Sequence, residues 1–169
     1  MNKSEVNTVS VVILTMGDRS KSLNRAIESV VAQTDFTAEI IIVWNGAKPD
    51  PSFSDYITVD LNHNLGIPEG RNVGAEIASN SLIMFLDDDA RILSPDFLKK
   101  AVTYFREDPL LGILGARIID QNGDTSRRHV PRIGGRKASQ SGKVTSFLGG
   151  ACIIRSSAWN EIKGYEKNL

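Results

Sequence analysis

In SLIMFLDDDA, Ser81–Ala90, five apolar residues end abruptly in three adjacent carboxylates, and this segment is the most informative of the chain. An apolar run bounded by polar residues is typical of a strand that is buried on both faces of a parallel sheet. Ligands of such sheets gather at the carboxyl ends of the strands, which is where these aspartates fall. Neighbouring anions repel one another, so the cluster favours a binding site over its alternative, a solvated acidic loop.

The three aspartates have the chemistry of a divalent-cation site. Hard cations such as Mg²⁺ and Mn²⁺ take oxygen ligands and usually share them with substrate phosphates. Side chains alternate along an extended chain, so Asp87 and Asp89 are expected to point to one side and Asp88 to the other.

Other phosphate and metal chemistries fit the sequence poorly. No Gly-x-x-x-x-Gly-Lys-Ser/Thr loop is present, and Gly66, Gly70 and Gly74 lack the spacing of a dinucleotide fingerprint. The two histidines, His63 and His129, are isolated, which disfavours zinc. What remains is Mg²⁺ or Mn²⁺ on the aspartates, holding a nucleotide diphosphate with the help of Arg or Lys side chains.

Strands and helices alternate on both sides of this stretch. Apolar or β-branched runs predict strands, and apolar residues at helical spacing predict helices. The predicted strands are Val9–Leu14, Ile40–Trp44, Tyr56–Leu61, the acidic strand, Leu111–Ile119 and the extended segment Val144–Ile154. The predicted helices are Leu23–Val31, Ile67–Ser79, Pro95–Arg106 and Ser156–Ile162. This alternation predicts a three-layer α/β/α fold around a central sheet that is mostly parallel in its first half.

A few single residues predict helix starts and close packing. Asp18 or Ser20 is expected to cap the first helix, and Ser94 is expected to cap the third, with Pro95 at its first position. Two glycines spaced four apart, Gly70 and Gly74, lie on one face of the second helix and permit close approach of sheet or ligand.

Composition bounds the class of protein. Residues 1–169 are long enough for one domain with a sizeable core. The 20 basic and 20 acidic side chains cancel, so nucleic acid and membrane surfaces are not expected partners. A single cysteine, Cys152, excludes an internal disulfide and fits a reducing compartment. No apolar stretch approaches the ~20 residues of a membrane span, and the polar start does not resemble a signal peptide, so a cytoplasmic protein is expected.

One segment departs from this neutral balance. Between Thr125 and Thr145 there are six Lys or Arg residues and no Asp or Glu, which makes the segment attractive to anions. We expect residues 127–143 to form a mobile loop that orders over a diphosphate, with Arg132 as a contact. The alternative is an ordinary solvated hairpin.

Six motifs follow one another along nearly the whole chain. They are Val11–Thr15 with Asp18–Arg19, Leu23–Thr34, Glu39–Gly46, Asn64–Gly74, Phe85–Asp89, and Phe147–Arg155 with Trp159 and Gly164-Tyr165 behind it. In this order they resemble the family 2 glycosyltransferases, nucleotide-sugar enzymes of the GT-A fold. The resemblance implies a single GT-A domain and a metal-dependent, inverting transfer of sugar from a nucleotide-diphosphate sugar to an acceptor hydroxyl, with Mg²⁺ or Mn²⁺ as cofactor.

The resemblance also implies a role for individual residues. Asp89 would be the principal metal ligand, with Asp87 as the second. The nucleotide would be lined by Thr15, Asp18, Arg19, Asn45, Arg71, Asn72, Asp87 and Asp88. The floor near the donor sugar and acceptor would be formed by Gly149 and Gly150. For Arg71 a helix-face salt bridge is the alternative, and for Thr15 a plain turn hydroxyl.

The chain departs from the family pattern at two places. The family usually has an Asp directly after the second strand, whereas here Trp44 is followed by Asn45. We expect Trp44 to stack on the base while Asn45 supplies hydrogen bonds. Family members also continue past the equivalent of Gly164–Glu166 to an acidic pair that supplies the catalytic base. This chain stops at Leu169, so the catalytic base is unassigned, and we expect a donor-binding half that lacks its C-terminal part.

Two other functions compete with this interpretation. One is a non-catalytic nucleotide-sugar-binding module that needs a partner or a missing half, and a possible homo-oligomer would cover apolar surface left by that half. The other is a nucleotidyltransferase, which should carry a glycine-rich basic loop after its first strand. The segment Thr15–Arg19 has a single glycine, so this function ranks last.

Overall fold

The structure is a computed structural model, and it describes residues 8–130, 141–144 and 146–166. Within this part of the chain, the strands are β1 Val9–Thr15, β2 Glu39–Asn45, β3 Ile57–Leu61, β4 Leu82–Asp87, β5 Ile113–Gly115 and β6 Ala151–Arg155. The helices are α1 Ser20–Val31, α2 Gly66–Ile77, α3 Phe97–Glu107 and α4 Ser156–Ile162. Two short 3₁₀ turns lie at Pro51–Phe53 and Arg127–His129.

The strands form a mixed sheet in the order β3-β2-β1-β4-β6-β5. The pairs β1–β2, β1–β4 and β2–β3 are parallel, so all the strands of the first half of the chain run in one direction. β6 is antiparallel to both β4 and β5. This arrangement confirms the predicted sheet, and it brings the end of β4 and the start of β6 to the same edge.

Apolar side chains cover both faces of the sheet. On one face, Ile13 of β1 lies in a buried cluster with Leu23 of α1 and Phe105 of α3. On the other face, Phe85 of β4 lies in a cluster that includes Trp159 of α4. Burying one such side chain contributes about 1.5–3 kcal/mol, so the strands are held from both sides. The predicted three-layer α/β/α architecture is confirmed.

The glycines of α2 bring that helix unusually close to the sheet. A Cβ atom at Gly70 would meet the side chain of Leu14, and one at Gly74 would meet the side chains of Val12 and Val43. Both glycines are buried. The close approach predicted for this face of the helix is therefore an approach to strands β1 and β2.

Several predicted helix starts are wrong. Helix α1 begins at Ser20 with Arg19 at its N-cap and without a side-chain cap, and the Ser22 and Leu23 N–H groups donate to the Arg19 carbonyl instead. Helix α3 begins at Phe97 rather than Pro95. The Ser94 hydroxyl donates to the Asp96 carboxylate at 2.5 Å and so does not cap the helix.

The last two predicted strands are too long. The strand predicted over Leu111–Ile119 pairs only at Ile113–Gly115, and the segment predicted as Val144–Ile154 is a strand only from Ala151. The physical reason is that β5 is an edge strand whose one partner is β6, and β6 has five residues. Backbone beyond that partner has no ladder to join.

A single hydrogen bond closes the neck of the long connection between β5 and β6. The Ala116 N–H donates to the Ala151 carbonyl at 2.8 Å, so the two ends of this connection lie side by side at the sheet. Most of the basic segment 127–143, including Arg132, lies outside the described residues, as do residues 167–169. Among the helices described, none combines the length and apolar character needed to cross a membrane.

Candidate functional site

The candidate site lies at the edge of the sheet where the parallel strands end. Thr15 ends β1, Asn45 ends β2 and Asp87 ends β4. β6 runs the opposite way, so Gly149 and Gly150, which precede it, arrive at the same edge, and the Asp87 N–H donates to the Gly150 carbonyl at 3.3 Å. Because β6 is antiparallel to β4, the motifs Phe85–Asp89 and Phe147–Arg155 meet at this edge of the sheet.

Asp88 is the buried member of the acidic cluster. The Thr15 hydroxyl donates to its Oδ2 at 2.7 Å, and Arg19 Nη2 lies 3.6 Å from its Oδ1. Burial raises the pKa of Asp88, while the Thr15 hydroxyl and the Arg19 charge oppose that rise. Its carboxylate therefore joins the ends of β1 and β4 and orients Arg19, and Thr15 has a more specific place here than a plain turn hydroxyl.

Asp89 is exposed and forms an ion pair with Arg19. Arg19 Nη1 lies 2.6 Å from Asp89 Oδ2, and its Nε lies 3.6 Å from Asp18 Oδ1. The carboxylates of Asp88 and Asp89 raise the pKa of the Arg19 guanidinium. Because the Arg19 and Asp89 side chains are both exposed, their ion pair contributes little to stability, so a ligand can take either partner without a large cost to the fold.

Asp87 faces the other arginine of the site. Arg71 Nη2 lies 2.7 Å from Asp87 Oδ1, and the Arg71 side chain is only 13% exposed. Its guanidinium carbon is 5.9 Å from the centroid of the Phe85 ring. A Cβ atom at Gly150 would collide with the Asp87 carboxylate, and one at Gly149 would collide with the Arg71 guanidinium. The two glycines are therefore the floor on which this ion pair rests.

The two predicted amide residues, Asn45 and Asn72, are both buried and engaged with the protein itself. Asn45 Nδ2 donates to Asn64 Oδ1 at 3.0 Å and to the Gly66 carbonyl at 3.2 Å, and its Oδ1 accepts from the Leu65 N–H at 2.8 Å. These bonds hold the turn that starts α2. In this conformation the polar atoms of Asn45 stabilise the turn at the edge of the site.

Trp44 does not occupy the place expected for a base-stacking residue. It is 2% exposed, and its ring lies 5.8 Å from the ring of Phe53. Gly17 lies against one edge of the indole. This burial contradicts the expected stacking, because the ring presents no open face to a ligand.

Tyr165 is a site residue that the sequence motif contained but to which no role was given. Its ring packs 5.1 Å from Trp159 and 6.1 Å from Phe85, and its hydroxyl is buried beside Gly149. The signal that could have found it is the Gly164-Tyr165 pair, since a glycine before an aromatic residue indicates a close approach.

The donor set fits a divalent cation that arrives together with phosphate oxygens. Among the described residues, no group of three or more His, Cys, Asp or Glu side chains is arranged to hold a metal ion. Asp87 and Asp89 each offer an exposed carboxylate with one oxygen paired to an arginine. Mg²⁺ and Mn²⁺ are commonly held by one or two carboxylates together with substrate phosphates, which is what two such side chains can supply.

Comparison with known proteins identifies the family to which this chain belongs. A sequence model of Glycosyl transferase family 2 matches residues 10–163, and the chain belongs to that family. The resemblance inferred from the motifs is thereby confirmed. The glucosyl-dolichyl phosphate glucuronosyltransferase of Haloferax volcanii is 31% identical over 120 residues, which are 66% of this chain and 38% of that protein.

Solved structures share the fold at low identity. S. aureus TarS 1-349 in complex with UDP superposes with a TM-score of 0.75 at 18% identity, covering 96% of this chain and 51% of that one. The mannosyltransferase PcManGT from Pyrobaculum calidifontis, in complex with GDP-Man and Mn²⁺, gives a TM-score of 0.71 at 16% identity over 95% and 48%. The chain thus spans about half the length of these structures.

Proposed function

We propose that this chain binds a nucleotide-diphosphate sugar together with Mg²⁺ or Mn²⁺, as the donor-binding part of an inverting glycosyltransferase that acts on an acceptor hydroxyl. The observation that carries the proposal is the acidic cluster at the end of β4, flanked by Arg19 and Arg71. TarS and PcManGT, which share the fold, are complexed with UDP and with GDP-Man and Mn²⁺, respectively.

The balance of charge explains why a cation accompanies the donor. Four carboxylates, those of Asp18 and Asp87–Asp89, face the two guanidinium groups of Arg19 and Arg71. A diphosphate brought alone to this excess of negative charge would be repelled. A divalent cation between the carboxylates and the phosphates removes that repulsion, and as a Lewis acid it also stabilises the charge of the leaving diphosphate.

The residues then divide the work by their exposure. Asp89 and Asp87 would hold the cation through the carboxylate oxygens that are not paired with arginine. Arg19 and Arg71 would stay beside them and offer their remaining N–H groups to the phosphates, since guanidinium groups pair well with phosphate oxygens. Asp88 and Thr15 would keep the strand ends in place. Gly149 and Gly150 would form the floor beneath the donor sugar, where side chains would intrude.

The test is calorimetric titration of the chain with UDP and with GDP, each with and without Mn²⁺. We expect Mn²⁺ to strengthen binding of at least one nucleotide, and Asp89→Asn to weaken that metal-dependent binding by about tenfold or more. Asp35→Asn is the matched control, because Asp35 also forms an exposed ion pair, with Lys99 at 3.1 Å. Nucleotide binding that is indifferent to Mn²⁺, or unchanged by Asp89→Asn, would refute the metal assignment.

A further inference from the structure

Asn72 makes a reciprocal pair of hydrogen bonds with the backbone of a residue 93 positions away. Its Nδ2 donates to the Tyr165 carbonyl at 2.9 Å, and its Oδ1 accepts from the Tyr165 N–H at 2.9 Å. Asn72 is 6% exposed. A primary amide that satisfies both polar groups of one residue fixes the position and orientation of that residue, and leaving those groups unpaired would be costly.

The chain around Tyr165 is shaped to allow this contact. Gly164 has φ +75°, and a Cβ atom there would meet Asn72 Oδ1 and the Trp159 ring. Helix α4 ends at Ile162, two residues before Gly164, and Lys163 between them is also left-handed. The amide of Asn72 therefore reaches the Tyr165 backbone only because the residue before it lacks a side chain.

Tyr165, held in this way, lies on one side of the Arg71 side chain. The Tyr165 hydroxyl and Arg71 Nη1 both lie against Gly149, and the guanidinium lies over the Phe85 ring. Burial raises the pKa of Tyr165 to about 12, with the Arg71 charge acting in the opposite direction, so the hydroxyl stays neutral beside the guanidinium. With Tyr165, Phe85 and Gly149 around it, Arg71 points its Nη2 at Asp87 Oδ1, 2.7 Å away.

We propose that Asn72 is a positioning residue that acts through Tyr165 to hold Arg71 against Asp87. Its contribution to donor binding is then indirect, which differs from the role in contacting the nucleotide that the sequence motif implied. The expected effect on nucleotide binding rests on the proposed function. The contacts that link Asn72, Tyr165 and Arg71, called the clamp below, exist without ligand.

The experiment compares Asn72→Ala with Gln33→Ala as a matched control. Gln33 is likewise 6% exposed and bonds three backbone groups, those of Ser29, Ser94 and Leu98, but none of these contacts Arg71 or Asp87. Both variants lose a buried amide and are expected to lose stability. Only loss of the Asn72 amide is expected to change the site.

The first readout needs no ligand. Fluorine NMR of protein labelled with 5-fluorotryptophan reports the contact between Trp159 and Tyr165, and the Trp44→Phe variant assigns the two signals. We expect Asn72→Ala to shift or broaden the Trp159 signal and Gln33→Ala to leave it unchanged. An unmoved Trp159 signal in Asn72→Ala would overturn the clamp whether or not the chain binds nucleotide.

The second readout is the affinity for UDP or GDP with Mn²⁺ in a double-mutant cycle. We expect Asn72→Ala and Tyr165→Ala each to weaken binding by about tenfold, and the double variant to weaken it no further. Asn72→Ser tests the same point where the alanine variant is too unstable. Additive losses would overturn the inference in favour of direct nucleotide contact, and an undiminished affinity would overturn it outright. A wild-type chain that bound neither nucleotide would instead count against the proposed function.

Discussion

Gly150 lies beneath the Asp87 carboxylate so closely that a methyl group would occupy the carboxylate's position. Asp87 itself is half exposed, so its side chain is free to turn away from such a methyl group. The fold would then survive the substitution, while the ion pair with Arg71 would not. The glycine thus controls where a carboxylate points.

Replacing Gly150 by Ala is expected to weaken metal-dependent nucleotide binding by about tenfold with little change in stability. The physical reason is that Asp87 must rotate away from both Arg71 and the cation. Gly115→Ala is the control, since nothing lies within 4 Å of a Cβ atom at Gly115. Calorimetry and urea unfolding of both variants check the point, and equal nucleotide affinities in the two would contradict it.

The position of the acidic triad at the end of a buried strand was predictable, because the apolar run before it is typical of such a strand, while its role in holding a metal stays a prediction. Asp88 is buried between two exposed neighbours, but the expected alternation does not hold, because β4 ends at Asp87 and the next two aspartates lie in a turn. Asp88 and Asp89 both pair with Arg19, whereas Asp87 pairs with Arg71. The partners of Asn45 and Asn72 could not be predicted. An amide looks the same in a sequence whether it faces a ligand or a backbone 93 residues distant.

Helix α2 is the element whose packing depends most on missing side chains. Gly74 faces Val12 and Val43, which are β-branched and stiff, whereas Gly70 faces the flexible end of Leu14. Each glycine costs the isolated helix ~1 kcal/mol relative to alanine. Substitution by alanine would therefore raise helix propensity equally at the two positions. The two substitutions differ only in the side chains that the added methyl group would contact.

Gly74→Ala is therefore expected to lower the free energy of unfolding by about 1–2 kcal/mol, since overpacking outweighs the gain in propensity. Gly70→Ala is expected to change it by less than about 1 kcal/mol, because Leu14 has rotamers to spare. Urea denaturation of the two variants side by side makes the comparison. A larger loss for Gly70→Ala than for Gly74→Ala would mean that the helix packs differently.

Elements with strong periodicity were predictable, and their ends were not. Helix α3 was recognised from its apolar stripe, yet Ser94 bonds Asp96 and the helix starts at Phe97. The choice of cap depends on which local hydrogen bond wins, and that difference is about 1 kcal/mol. Strand β5 was predicted over Leu111–Ile119 but spans only Ile113–Gly115, because its length is set by its partner in space.

The whole molecule is also fastened at the edge of the sheet opposite the site. Glu39, at the start of β2, accepts hydrogen bonds from the hydroxyl of Ser10 on β1 and from the hydroxyl and N–H of Ser79, which follows α2. Burial alone would raise the pKa of Glu39, but these hydrogen bonds outweigh it and hold the pKa below its ordinary value. The carboxylate form therefore contributes to stability.

The sign of the pH dependence follows from that lowered pKa. The contribution of Glu39 is fully present above its ordinary pKa of about 4.3 and is lost as the pH falls through the lower folded value. Glu39→Gln is thus expected to reduce the free energy of unfolding by about 1–3 kcal/mol at pH 7, with a difference that shrinks toward pH 3. Thermal or urea unfolding across this range measures it, with the exposed Glu28→Gln as control. A difference in the free energy of unfolding between wild type and Glu39→Gln that became larger in acid would contradict the stabilising role of the Glu39 carboxylate.

The hydrogen bond between Ala116 and Ala151 bears on which part of this fold can vary. Because the connection leaves after Ala116 and returns before Ala151, and these two residues share a hydrogen bond, the length and composition of residues 117–148 can change while the pairing of β5 with β6 stays the same. Each doubling of such a loop costs only about 0.6 kcal/mol of closure entropy. The connection returns next to Gly149 and Gly150, at the edge of the site. A change confined to this connection would therefore alter what lies beside the site without altering the sheet that holds it.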